Sequence, residues 1–144
     1  MGGEVTASEL LVQVLLSDRT LSGLVAKRVY ADYAPQLPPD QLYPCVVYKR
    51  VSFPHLKTLS GNAKTYYPRY TLSLLSLRSK DCEAMLRRVV SLEGQRTESD
   101  GPVTLRWLWV EDGRNDADKP QEMDEQAVRE LGVDVVLWYD DTGA

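Results

Sequence analysis

Histidine occurs once in this sequence, at His55, and cysteine twice, at Cys45 and Cys82. One histidine cannot build a histidine-rich metal site. No G-x-S-x-G element exists that would let it serve a nucleophilic serine. His55 follows Pro54 and lies near Lys57 in a stretch that reads as a solvated loop. The cysteines form neither a C-x-x-C pair nor a zinc pattern, so two buried thiols are expected. Cys82 would sit in the first turn of a helix, where the helix dipole can lower a thiol pKa. It also shares a face with Met85, Leu86 and Val89, which favours a structural role. The nine glycines make no G-x-G-x-x-G and no Walker A loop. No apolar run approaches the ~20 residues of a membrane span. No basic segment leading into an apolar stretch marks a secretory signal. Gly2 to Thr6 fits the loose myristoylation pattern, but Thr6 is read as a helix cap. No cofactor, metal or membrane partner is expected.

What is present describes one ordinary domain. At 144 residues, 43% apolar and 26% charged, the chain can bury a core without staples. A single domain is expected over 1–144, with its core at about 7–140. The net charge of −4 is unevenly spread. Segment 111–126 carries seven acids against two bases, leaving the rest near neutral. A neutral body with an acidic loop lacks the clustered Lys and Arg that grip phosphates. It also lacks the basic, aromatic surface of an RNA-recognition sheet.

Thr6-Ala7-Ser8-Glu9 reads as a capping box, followed by Leu10, Leu11, Val14 and Leu15 at helical spacing. A first helix over about 7–17 follows, then a short second turn around Leu21, Leu24 and Val25. Arg28 to Tyr30 reads as a short strand. Pro35, Pro38 and Pro39 make 32–42 an extended surface connection that excludes helix. Pro44 to Val51 is a strand with its centre buried on both faces. Residues 53–63 read as a loop, and Tyr66 to Leu77 as a second long strand burying Tyr70, Leu72 and Leu74. Ser79 is expected to cap a helix whose buried face is Cys82, Met85, Leu86, Val89 and Val90. Val103 to Val110 alternates as a strand, and the last strand ends near Tyr139 with Val133, Val135, Leu137 and Tyr139 inward. The fold class expected is α+β: a mostly antiparallel sheet of about five strands with two main helices on one face.

This order resembles the phage tail terminator (tail completion) family of long-tailed phages, lambda type. The resemblance rests on Arg28-Val29-Tyr30, the proline-containing connection, Tyr43-Pro44-Cys45-Val46-Val47-Tyr48, then the second strand, the Ser79 helix and the final hairpin. It covers roughly residues 7–140. It implies a structural virion protein without enzymatic activity: a ring, usually a hexamer, at the head-proximal end of the tail, assembled in the host cytoplasm. The implied partners are other copies of itself, the tail tube protein and the head-completion or connector protein. Genomic DNA passes through the ring without sequence-specific binding. The long segments 94–101 and 111–126 depart from the family layout. Two alternatives are a neck or head-closure protein and a small enzyme using carboxylates such as Asp112 and Asp116.

The candidate subunit and tail contacts are His55, Lys57, Tyr66, Tyr67, Arg114, Asp116, Asp118, Lys119 and Trp138. Segment 111–126 is open to three readings: a solvated loop, a hard-cation site, or a subunit contact through Arg114 or Lys119. Asp112 to Asp118 is not an EF-hand, because Arg114 takes the third ligand position. Trp107, Trp109 and Tyr70 are expected in the core. Tyr66, Tyr67 and Trp138 are placed either in the core or on an outer face, where aromatics mark interfaces.

Overall fold

A computed structural model describes residues 3–52, 55–56, 64–96, 103–114 and 128–141. The elements run α1 Gly3–Ser17, α2 Arg19–Val25, β1 Val29–Ala31, α3 Pro39–Leu42, β2 Cys45–Ser52, β3 His55–Leu56, β4 Lys64–Tyr66, β5 Arg69–Ser76, α4 Ser79–Ser91, β6 Val103–Arg114 and β7 Arg129–Asp141. The class is α+β, as the element pattern predicts.

The seven strands form one sheet, antiparallel except where β1 pairs parallel with β2. They act as five ranks. β2 and β3 follow one another in the chain, and they face β5 and β4 respectively. Strand β7 spans 13 residues, pairing β5 with its first part and β4 with its last, while β6 lies along its other side. Pro68 explains the break between β4 and β5, because proline cannot donate to a ladder. Its carbonyl still accepts from the Leu137 amide at 3.1 Å.

Side chains alternate across this sheet. Val46, Tyr70, Leu72, Leu74, Val133, Val135, Leu137 and Tyr139 face the helices and bury completely or nearly so. Onto them pack Ala7, Leu10, Leu11, Val14 and Leu15 of α1, Leu21 and Val25 of α2, and Cys82, Met85 and Val89 of α4. Among the described residues, the opposite face is covered only toward β1 and β2. There Cys45 and Val47 pack under Leu42, Tyr43 and Ala34 of the connection.

The structure corrects four local expectations. Helix α1 begins at Gly3, so Thr6 lies inside it and is not its cap. The connection 32–42 contains one helical turn, α3, with Pro39 at its first position. Proline is tolerated there because the first-turn N–H groups have no intrahelical partner. Arg78, not Ser79, occupies the N-cap of α4. Buried Ser76 sits beside that end instead: its Oγ accepts from the Arg78 amide at 3.2 Å and donates to Asp81 at 3.1 Å. Val90 lies half in solvent, outside the buried stripe of α4.

Asp18 does two jobs. Its Oδ2 caps α2 by accepting from the Leu21 amide at 2.8 Å. It also takes two bonds from Arg88 of α4, at 3.1 and 2.6 Å. Those Arg88 bonds are the main reason its carboxyl is held below the usual range; burial opposes them and the Leu21 amide adds to them. Removing the cap in Asp18→Ala is expected to cost about 1 kcal/mol in urea unfolding. Because the folded pKa is depressed, the charge contribution is complete above the unfolded pKa and is lost as pH falls through the folded one. Asp18→Asn should therefore be less stable than the parent at pH 7. The gap should close below roughly pH 4, and a constant gap would contradict the assignment.

Candidate functional site

The part of the sheet left uncovered by the described residues lies over β5, β7 and β6. Its centre is polar. Arg69 grips the Glu111 carboxylate with both guanidinium nitrogens, one bond at 3.0 Å. This hydrogen bonding is the chief reason the Glu111 carboxyl titrates below its ordinary range. Thr71 donates to Asp134 at 2.9 Å. Thr65 and Arg106 both donate to Asp140, at 2.8 and 3.0 Å. Such pairing spends these acids on structure and leaves them poorly placed as catalytic bases. Among the described residues no three His, Cys, Asp or Glu side chains converge on a possible metal position. No helix among them is long and apolar enough to cross a membrane.

Beside this polar band is an aromatic groove. Tyr67, Trp109, Val136 and Trp138 enclose about 230 Å³ of open space. The Trp109 and Trp138 rings stack with centroids 5.5 Å apart and planes 7° from parallel. Trp138 Nε1 is buried and is the one buried side-chain polar atom without a hydrogen-bond partner among the described residues. A second recess, about 220 Å³, lies between Ser8, Asp32, Tyr48, Arg50 and Tyr70, where Ser8 and Tyr70 share a 3.1 Å hydrogen bond.

The groove exists because β6 slips in phase. Leu105 faces Tyr139, but Trp107 faces Trp138, so a bulge falls between them. The extra residue turns Leu108 inward to full burial and leaves Trp107 and Trp109 each 38% exposed. The expectation that these two tryptophans fill the core is thereby corrected; Tyr70 does fill it. Gly94, at φ +84°, stands against Trp107, and a Cβ there would come within 3.2 Å of the ring.

Of the other candidate contacts, Tyr67 and Trp138 meet in the groove. Tyr66 turns to the core side and stacks on Tyr139, centroids 5.3 Å apart. His55 is not in an open loop: its backbone pairs with Tyr66 in the β3–β4 ladder. Arg114 pairs with Gly132 at the end of β6, so the first four residues of segment 111–126 are strand rather than loop. Lys57, Asp116, Asp118 and Lys119 lie outside the described residues, as does most of the acidic segment. Sequence alternation puts Trp109 in the core and gives Val136 no contact role, and no residue type marks the bulge that joins them to the groove.

Both thiols are free and buried, as expected from their number and spacing. Burial pushes each up to about 11, and Cys82 Sγ donates to the Leu74 and Arg129 carbonyls. At pH 8 only about one thiol in a thousand would be ionised. A chromogenic thiol reagent should therefore detect no fast-reacting cysteine in the folded protein and two after denaturation. Rapid native labelling of Cys82 would instead indicate an activated thiol.

Comparison with known proteins supplies the family. The model of the family described as tail completion protein gp17 matches residues 9–140. A chain in the solved virion of a native gene transfer agent particle has a similar fold, with a TM-score of 0.54 and 18% identity. The match covers 89% of this chain and 90% of that one. A search of curated proteins returned no match. With nearly its whole length matched, the chain belongs to the tail completion protein gp17 family.

Proposed function

We propose that this member of the tail completion family is a ring-forming tail terminator, which halts tail tube polymerisation and presents the surface that joins tail to capsid connector. Family membership over residues 9–140 carries this reading, and makes the chain a structural tail protein first. The shape of the molecule supports the finer role. The helices seal one face of the sheet, whereas on the other face the described residues leave an aromatic groove uncovered. Aromatic surface of this kind is enriched where proteins meet. Glu111, Asp134 and Asp140 on that face are already matched to Arg or Thr, which suits recognition better than bond-making.

In this reading the partners are identical copies in a hexamer, the tube protein below and the head-completion or connector protein above. DNA crosses the central hole without base-specific contact. The place is the head-proximal end of the tail. Light scattering on the purified chain, alone and mixed with tube protein, tests it. The expected result is a hexameric mass in at least one condition. Monomer in both would contradict the ring.

A further inference from the structure

We propose that the aromatic groove of one copy receives the exposed segment 32–38 of a second copy, in a head-to-tail contact guided by opposite charge on the two edges of the sheet. This deepens the ring reading and rests on it.

The segment is built to be received. Tyr33 is 80% exposed and Leu37 43% exposed, both large apolar side chains in the irregular, proline-containing stretch between β1 and α3. Pro38 has φ −55° and ψ 144°, in the polyproline region. Proline restricts the backbone of such a segment, which lowers the entropic cost of docking it on an aromatic groove.

The groove cannot be filled by its own segment. Ala34 anchors the segment over Cys45 and Val47, at the β1–β2 side of the open face. The groove lies on the same face, at the β7–β6 side. Between them run β5 and its polar residues Arg69, Thr71 and Ser73. Strands are spaced about 4.8 Å apart, so three strand spacings put groove and anchor roughly 14 Å apart. A second copy supplies the segment without any such reach.

Charge selects the same pairing. Residues 19–52, which supply α2, β1, α3 and β2, carry five bases against two acids. Strands β6 and β7, residues 103–114 and 129–141, carry three bases against six acids. Opposite edges of one sheet thus carry opposite charge, which favours unlike edges meeting and opposes like edges. Two different patches in contact make a heterologous interface, the kind that closes into a ring. Strand addition at the middle of β6 is hindered, since two of its outward groups are already used. Leu108 O accepts from the Gly94 amide at 2.8 Å, and the Val110 amide donates to Glu93 at 3.1 Å. The neighbour therefore docks on the face of the sheet.

Cysteine cross-linking tests the contact, because the two native thiols are buried. The double variant Tyr33→Cys/Tyr67→Cys, treated with a short bifunctional thiol reagent under conditions where the parent assembles, should give a ladder extending beyond dimer. A mixture of the two single variants should stop at dimer. Tyr33→Ser alters only an exposed side chain. It should raise the concentration at which light scattering detects assembly by tenfold or more. Assembly that persists with no ladder beyond dimer, or with an unchanged midpoint in Tyr33→Ser, would overturn the contact and leave the ring reading standing. A parent chain that stays monomeric with and without tube protein would remove both.

Discussion

Replacing Tyr70 with alanine should destabilise the protein by about 3–5 kcal/mol, as for other large buried side chains. Tyr70 is completely buried near the start of β5. It meets Tyr48 edge to face with centroids 5.9 Å apart, and its hydroxyl shares a hydrogen bond with Ser8 of α1. The variant therefore opens a cavity where α1 rests on the sheet and strips Ser8 of that bond. Small domains hold only about 5–15 kcal/mol in total, so a large fraction of the margin would go. Tyr70→Phe keeps the ring and should lose only about 1 kcal/mol, the value of one hydrogen bond. Urea unfolding of the two variants separates packing from hydrogen bonding. Equal losses would mean that the hydroxyl, not the ring, holds α1.

Trp109→Ala should show the opposite balance. The ring stacks on Trp138 but remains partly exposed, so folding should lose about 1 kcal/mol. Assembly should suffer far more. Tryptophans in a desolvated contact commonly contribute 2 kcal/mol or more, which corresponds to roughly a 30-fold weaker association. Parallel urea unfolding and concentration-dependent light scattering would show the split. A stability loss with unchanged assembly would place the subunit contact elsewhere on the molecule.

Regular periodicity made much of this fold legible. Tyr70, Leu72 and Leu74 alternate without interruption, and β5 buries them. Cys82, Met85 and Val89 recur at helical spacing, and α4 buries them too. These patterns survive because one face of each element is wholly apolar. The groove was harder to see, because it depends on phase and not on composition. Val103, Leu105, Trp107 and Trp109 alternate correctly for a continuous strand, yet one extra residue after Leu105 turns both tryptophans outward. Capping signals were similarly ambiguous. Thr6 and Glu9 satisfy the sequence rule for a cap, but the helix continues upstream to Gly3. Pro39 argued against helix by type, whereas position decides, since the first helical residue needs no amide donor. Sequence leaves Tyr67 and Trp138 open between core and outer face, and their shared groove needs the three-dimensional register of β5, β7 and β6.

The terminator role makes one demand that other parts of a tail do not share: the chain must stop a growing tube. Tube protein can be polymerised with increasing amounts of this chain and the tube lengths measured by electron microscopy. Mean length should fall as the chain is added, with density for a ring at one end of each tube. Tubes of unchanged length with no end-bound density would contradict it and favour a neck or head-closure role on the connector.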